Sequence, residues 1–361
     1  MPSYSLQSPF SLKICYPRIL VLLCLLFTSS FLQGQKVKKL FTSDSLLELT
    51  VTLPIKDVIN DTKVRNEYEC QLVYTSEDGQ KHPHQVKIQV RGKTRALKQV
   101  CSFPPLQLNF NKKDTKNSIF KGQDKVKLVA HCKSDNIYQE YVQKEYVVYK
   151  MYEVISPYSF KVRLCSITYI DKNNPSKNNT YDGFLIESTE HVAKRNDMTE
   201  YKDSIRNQEV LNKDNLDKLV MFQYMIGNLD WSIAKRHNMK LIIGDQGQLP
   251  MAVPYDFDYA GMVDTPYAVP PAESSVSDVK TRVFRGFCKR NGYEETVSFY
   301  KEQKEELYDV INQSLFLTEK TRRNMIKYMD QFYKNMENPK YVDKKINKAC
   351  RIDHKHAYDY E

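Results

Sequence analysis

Alternation of apolar and polar residues over successive short segments is the feature of this sequence that most limits its fold. Five such segments lie in the first half of the chain: Leu46 to Pro54, Glu69 to Thr75, His84 to Gly92, Leu106 to Phe110 and Lys125 to Ala130. A period of two is typical of β-strands with one buried face, and turn-forming stretches such as EDG and FKGQD separate them. The first half of the chain is therefore predicted to be rich in β-strand.

Helical periodicity follows the strands. Between Ile137 and Ile155, tyrosine and valine residues recur at steps of three and four, which predicts an amphipathic helix. Two more strands, KVRLCSITYID and YDGFLIEST, come next, separated by the polar loop KNNPSKNN. Further helices are predicted at Asn215 to Asn228, Glu294 to Gln313 and Thr318 to Met336. This order predicts an α+β protein with a β-rich N-terminal lobe over residues 35–190 and a mainly helical C-terminal lobe over residues 191–361.

The N-terminus has the pattern of a secretory signal peptide. Lys13 and Arg18 precede the apolar run Ile19 to Leu32, which is short for a membrane span. We expect residues 1–34 to be removed and the protein to be exported, to a periplasm, a cell envelope or the medium. An uncleaved anchor is the alternative, and Cys24 lacks the small residues expected before a lipidated cysteine. Membrane contact is expected only through such an uncleaved signal or a lipid anchor.

The charge of the chain is moderately basic and evenly spread. Its 54 Lys and Arg residues exceed its 44 Asp and Glu residues, giving a net charge of +10 over 361 residues. The positive charges form no block, unlike the concentrated basic patches of nucleic-acid-binding proteins, so no nucleic-acid partner is expected. Attraction to phosphate-bearing ligands remains open.

The cysteines indicate disulfides rather than zinc. Beyond residue 34 they are separated widely, with no C-x-x-C pair, at positions 70, 101, 132, 165, 288 and 350. Export permits disulfides. We predict the pairs Cys101–Cys132 and Cys288–Cys350 because each falls within one region, with free buried cysteines as the alternative.

Two neighbouring stretches contain the strongest candidates for chemistry. GNLDWSIAKRHNMKLI begins at Gly227, and VPYDFDYAG begins at Val253. If MKLII and AVPYDFD form a hairpin, Asn238 and Asp256 meet at its mouth, with Asp230 on the loop above. Carboxylate and amide oxygens suit Mg²⁺, and phosphoryl transfer needs a carboxylate near the nucleophile and cations on the phosphates. The alternative is that these are ordinary turn, cap and strand-end residues.

These stretches resemble the catalytic and metal-binding segments of the CotH family of spore-coat protein kinases. VKIQVRGKTR and YDGFLIESTE are similar to two further segments of that family, so the likeness extends over about Leu46 to Gly261. The sequence also looks similar to uncharacterised exported proteins of the Bacteroidota type. The resemblance implies an atypical protein-kinase-like two-lobed fold, ATP and Mg²⁺ or Mn²⁺ as cofactors, and a protein or other hydroxyl compound as phosphoacceptor.

The resemblance also implies roles for individual residues. Asp230 would be the catalytic carboxylate; the metal would be held by Asn238, Asp256 and Asp258; Glu187 would lie where adenine binds. Glu145 would face inward and fix a phosphate-contacting lysine. Gln107 occupies the family's lysine position, so Lys125 or Lys127, which share one strand face, is expected to replace it.

Several other enzyme classes are disfavoured by missing motifs. The sequence contains no G-x-S-x-G elbow, no H-E-x-x-H pair and no dinucleotide-binding glycine pattern. Arg91 and Arg95, which follow a strand, either grip a phosphate or stabilise the turn. A non-catalytic interaction module built on the same fold is the alternative to a phosphotransferase.

Overall fold

The strands of the first half of the chain form a barrel. A computed structural model describes Met1 and residues 37–205, 210–245, 247–272, 274 and 276–350. The barrel strands are β1 (Leu47–Leu53), β2 (Tyr68–Thr75), β3 (Lys81–Val90), β4 (Leu106–Phe110), β5 (Lys125–Val129), β6 (Val162–Asp171) and β7 (Asn174–Ile186). Their order around the barrel is β1-β2-β3-β4-β5-β7-β6. The predicted signal peptide, Cys24 and the C-terminal tail from residue 351 lie outside the described residues.

The prediction of a kinase-like two-lobed fold, which the resemblance implied, is wrong. The front half is a closed barrel of seven strands, in which β6 pairs in parallel with β1 and every other pairing is antiparallel. Closure depends on pairing between residues far apart in the sequence, such as Leu47 with Cys165. A period-two pattern shows which face of a strand is buried but does not specify its neighbours, so it cannot separate an open sheet from a barrel.

The barrel interior is a packed apolar core. Along β1, Leu47, Leu49, Val51 and Leu53 are buried and alternate with more exposed residues. Matching rows on the other strands fill the centre, as expected for a small barrel. The interior therefore has a structural role, and the polar chemistry lies outside it.

Eight α-helices lie within the described ranges. They are α1 (Ile55–Asn60), α2 (Asn136–Ile155), α3 (Thr189–Arg195), α4 (Lys213–Ile226), α5 (Glu294–Glu302), α6 (Lys304–Asn312), α7 (Glu319–Met336) and α8 (Pro339–Val342). The helices predicted at Ile137, Asn215 and Thr318 are confirmed to within a few residues, whereas the one predicted from Glu294 is two helices, α5 and α6. None of the helices in these ranges has both the length and the apolarity that crossing a bilayer requires.

A small second sheet follows the barrel in the chain. It consists of β8 (Thr199–Glu200), β9 (Met239–Ile243) and β10 (Met251–Pro254), in the order β10-β9-β8. The predicted hairpin of MKLII with AVPYDFD is confirmed as β9 and β10, except that β10 ends at Pro254 and the segment YDFD lies beyond it. Helix α4, which precedes this sheet, begins at an Asn212 cap and ends at Gly227 in the left-handed conformation.

Helix α2 links the barrel to the helical part of the chain. Tyr149 is almost fully buried, and its ring packs against Phe184 of β7 and Phe257 beyond β10. Both predicted disulfides are confirmed: Cys101–Cys132 and Cys288–Cys350. Cys70 and Cys165 are free and buried, so the alternative holds for this pair.

Candidate functional site

The β9–β10 hairpin holds two of the predicted site residues next to each other. Met239 pairs with Pro254 at the hairpin mouth, and the amide of Tyr255 donates to the carbonyl of Asn238 at 3.1 Å. Asn238 and Asp256 both have positive φ, 52° and 64°. Non-glycine residues in this region are uncommon and often mark functional sites. The hairpin thus presents both side chains from a constrained backbone.

Asp230 is fixed by the residues on either side of its loop. Asn238 donates from Nδ2 to the Asp230 carbonyl at 2.7 Å and to Oδ2 at 2.9 Å, and the Asp230 amide donates to Asn228 Oδ1 at 3.0 Å. About a third of the Asp230 side chain is exposed. The structure therefore brings Asp230 and Asn238 together and leaves the carboxylate accessible to a ligand.

His237 is a further member of the site that the sequence patterns did not single out. Its Nε2 lies 2.7 Å from Oδ1 of Asp230, because Ser232 and His237 form a bridge that folds the loop back on itself. The hydrogen bond to Asp230 raises the pKa of His237, and partial burial opposes the increase. A histidine seven residues after an aspartate matches no motif, so only the loop geometry identifies it.

Asp256 and Asp258 differ in their surroundings. The Asp256 amide donates to the Tyr149 hydroxyl at 2.8 Å, whereas its carboxylate has no hydrogen bond or ion pair among the described residues. Asp258 is buried and accepts a hydrogen bond from Tyr267 at 3.1 Å. Burial raises the pKa of Asp258 to about 7, and the negative charge of Asp256 adds to the increase. Asp256 is therefore the carboxylate that is open to a cation.

Glu145 faces inward from α2, as expected, but its partner is an arginine. Arg95 Nη1 lies 3.8 Å from Glu145 Oε2, and both side chains are buried. Glu145 Oε1 has no hydrogen-bond partner. Burial raises the pKa of Glu145 well above its ordinary value; Asp258 reinforces the increase and Arg95 opposes it. The lysine that Glu145 was expected to hold is not its partner here.

The loop after β3 contains three cationic residues, whose side chains lie in different surroundings. Arg95 turns inward and also donates to the carbonyl of Ala130 at 2.5 Å. Arg91 is half-buried, and its guanidinium forms no hydrogen bond or ion pair within the described part of the chain. Lys93 is exposed and lies close to His237. Gly92, with φ of 88°, makes the change of direction possible.

Lys127 is the lysine that the structure brings to the site. Its Nζ lies 4.5 Å from the centre of the Tyr255 ring. Burial lowers the pKa of Lys127 to about 7, helped by the positive charges of Arg91 and Lys240 and opposed by Asp256. Nζ forms no ion pair or hydrogen bond in the described ranges.

Lys125, on the same strand, is exposed and is paired in register with Asn109. Lys127 pairs with Gln107, the residue at the position where the resemblance implied a lysine. The structure thus separates the two candidate lysines, which the sequence could not.

Glu187 lies near Lys127 in the fold but is occupied. Its carboxylate accepts hydrogen bonds from Arg195 Nε at 3.2 and 3.3 Å and from the Lys161 amide at 3.1 Å. Burial raises the pKa of Glu187, and Arg195 opposes the increase. These contacts give Glu187 a structural role at the end of β7, because both of its carboxylate oxygens already accept hydrogen bonds.

The donor set suits a cation only together with a ligand. Among the described residues, no group of three or more His, Cys, Asp and Glu side chains is arranged to hold a metal. Mg²⁺ commonly binds through one or two carboxylates plus substrate phosphates and water. The unpartnered carboxylate of Asp256, beside the buried acids Glu145 and Asp258, fits that mode. The oxygen of the Asn238 amide could serve as a further ligand, since its nitrogen is directed at Asp230.

Comparison of the chain with models of protein families gave no match, and comparison with curated proteins gave none either.

Proposed function

We propose that this protein binds a nucleoside triphosphate with Mg²⁺ beside Asp256 and transfers a phosphoryl group to a hydroxyl acceptor next to Asp230. The observation that carries the proposal is the pair Arg91 and Lys127. Both side chains are half-buried and close to Asp256, and neither forms a hydrogen bond or ion pair among the described residues. Cations kept unpaired at a cost in stability are typical of sites that bind an anion. ATP is the nucleotide that the resemblance implies.

Each residue has a defined task in this reaction. Arg91 and Lys127 hold the phosphates, and Asp256 with Asn238 holds the metal ion, which when bound neutralises charge on the phosphates. Asp230 accepts the proton of the acceptor hydroxyl. The acceptor oxygen forms a bond to the terminal phosphorus, the bond from that phosphorus to the bridging oxygen breaks, and the nucleoside diphosphate leaves with the electron pair.

The test separates binding from transfer. Mg²⁺-ATP at 100 times its dissociation constant should raise the free energy of unfolding by about 2.7 kcal/mol. We expect this increase in the wild type and in Asp230→Asn, and its loss in Asp256→Asn. Asp114→Asn, which changes an exposed carboxylate in the loop after β4, serves as the matched control.

Release of labelled inorganic phosphate from ATP, with water in place of the acceptor hydroxyl, measures phosphoryl transfer. We expect it in the wild type and not in Asp230→Asn. A wild type that Mg²⁺-ATP does not stabilise would overturn the proposal. Stabilisation without any transfer would overturn the enzymatic part and favour a nucleotide-binding interaction module.

A further inference from the structure

A pocket of about 390 Å³ opens beside Asp230, on residues that the nucleotide site does not use. Its wall includes Trp231, Ser232, Lys235 and His237 of the Asp230 loop and Lys93 of the loop after β3. This volume lies within the range of small-molecule sites. The pocket is thus large enough for a metabolite-sized ligand, with the candidate base on its wall.

The charge of the wall favours an anion. Lys93 and Lys235 are both exposed, and in the described part of the chain neither ammonium group forms an ion pair or hydrogen bond. Asp230 is the sole acidic residue among the described residues of the wall, and it is already bonded to His237 and Asn238. A ligand that brings its own negative charge would gain two cationic partners here.

The geometry of one loop separates this pocket from the proposed phosphate site. Arg91 lies near Lys127 and Tyr255, whereas Lys93, two residues later, lies on the pocket wall. The two cations can therefore contact two different ligands at the same time. Asp230 borders the pocket and is also close enough to Asp258, in the acidic group, for its charge to raise the pKa of that residue.

We propose that this pocket binds the phosphoryl acceptor, and that the acceptor is a small hydroxyl compound that already carries a phosphate or carboxylate group. The proposal rests on the phosphoryl transfer proposed above. Lys93 and Lys235 bind the anionic group, and the free hydroxyl lies against Asp230.

Trp231 makes the pocket directly measurable. It is the single tryptophan of the chain, it lies on the pocket wall, and its indole nitrogen donates to the carbonyl of Asn228 at 3.1 Å. Selective excitation of tryptophan therefore reports ligand entry without labelling. The ligands to titrate are glycerol 3-phosphate, glycerate and glycerol, which differ in the anionic group they carry.

We expect glycerol 3-phosphate or glycerate to change the tryptophan emission, and glycerol to leave it unchanged. Lys93→Met and Lys235→Met should each weaken binding roughly fivefold, the size expected for one solvent-exposed charge pair. Lys177→Met, which changes an exposed lysine on β7, is the matched control. Equal response to glycerol, or no effect of either lysine variant, would overturn the proposal. A response to glycerol 3-phosphate only, to glycerate only or to both identifies the anionic group that the pocket binds.

The titration needs no nucleotide, so the two proposals fail separately. If the anionic ligands do not change the tryptophan emission but Mg²⁺-ATP still stabilises the protein, only the acceptor-pocket proposal is overturned. An anion response without stabilisation by Mg²⁺-ATP overturns phosphoryl transfer, and with it the acceptor role. With Mg²⁺-ATP, the anion that binds should become labelled on its hydroxyl, with KM raised about fivefold in Lys235→Met and kcat unchanged. An unchanged KM in that variant contradicts the pocket assignment.

Discussion

The Nε2 atom of His237 lies 2.7 Å from Oδ1 of Asp230, so the candidate base shares a hydrogen bond with a titrating group. When the imidazole is protonated, it places a positive charge directly against the proposed proton acceptor. When the imidazole is neutral, that charge is absent. The contact therefore couples the proposed proton transfer to pH in the range where histidine titrates.

His237→Gln should change how stability depends on pH. The pKa of His237 is raised in the folded protein, chiefly by the hydrogen bond to Asp230, so the folded state holds this proton more tightly than the unfolded state. The stabilisation is complete below the unfolded value of 6.5 and is lost as pH rises through the folded value. Because the side chain is 45% exposed, we expect less than about 1 kcal/mol.

Urea unfolding of wild type and His237→Gln at pH values on both sides of this range measures the difference. His82→Gln is the control, since His82 lies on β3 and bonds to Ser76 instead. A difference between wild type and His237→Gln that stays constant with pH would show that the Asp230 contact does not involve a charged imidazole.

Lys127→Met should stabilise the protein in the absence of ligand while abolishing nucleotide binding. Burial lowers the pKa of Lys127 to about 7, so the unfolded state binds more protons between that pH and 10.5. Wild-type stability should therefore rise with pH in this window, and the variant should lack the rise. We expect a gain of about 1–3 kcal/mol at pH 7. Urea unfolding with and without Mg²⁺-ATP tests both parts, with exposed Lys125→Met as control; a destabilised variant would contradict the argument.

Arg95→Met should cost far more stability than Glu145→Gln. Removing the arginine takes the nearby cation from the buried carboxyl of Asp258 and leaves the Ala130 carbonyl without this donor, for which we expect a loss of about 3–5 kcal/mol. Glu145 has a pKa raised well above its ordinary value, so a neutral amide of the same shape is tolerated at low cost. Chemical denaturation at pH 7 compares the variants. Equal losses of stability in the two variants would mean that Glu145 is ionised and that its ion pair with Arg95 accounts for the loss.

The sequence predicted local structure well because local structure depends on neighbouring residues. The alternation in LELTVTL predicts β1, and the apolar runs MKLII and AVP predict the strands of the β9–β10 hairpin. Both disulfides were also predicted, since each joins cysteines of one region.

The prediction failed where distant residues determine the outcome. Closure of the barrel depends on β6 pairing with β1, and no local pattern encodes that contact. The partner of Glu145 is Arg95, fifty positions earlier in the chain, because the loop after β3 turns inward to the start of the segment that follows β5. His237 joins Asp230 through a folded loop rather than through a motif.

The Cys101–Cys132 disulfide should matter for ligand binding as well as for stability. It ties the segment after Arg95 to the residues following β5, next to the contact of Arg95 with Ala130. Replacing both cysteines by serine should cost about 2–4 kcal/mol and reduce the stabilisation by Mg²⁺-ATP, because the loop that presents Arg91 is loosened. Cys288→Ser with Cys350→Ser should cost a similar amount and leave the nucleotide effect intact. Urea unfolding with and without Mg²⁺-ATP compares the two; equal loss of the nucleotide effect would contradict this role.

Asp256→Asn should reduce the stability that the protein loses at Asp258 as pH rises, because the charge of Asp256 acts on Asp258. Burial and then the charge of Asp256 raise the pKa of Asp258 to about 7, so the folded state binds this proton more tightly than the unfolded state, whose value is 3.8. The stabilisation from Asp258 is complete below pH 3.8 and is lost as pH rises through about 7. Removing the Asp256 charge lowers the folded pKa of Asp258, so the loss at Asp258 should be about 1 kcal/mol smaller at pH 7 in the variant. Urea unfolding between pH 4 and about pH 8 measures the two slopes, with Asp114→Asn as control. A variant with the wild-type slope would show that Asp256 does not act on Asp258, and the acidic group would then give no electrostatic reason to bind a cation.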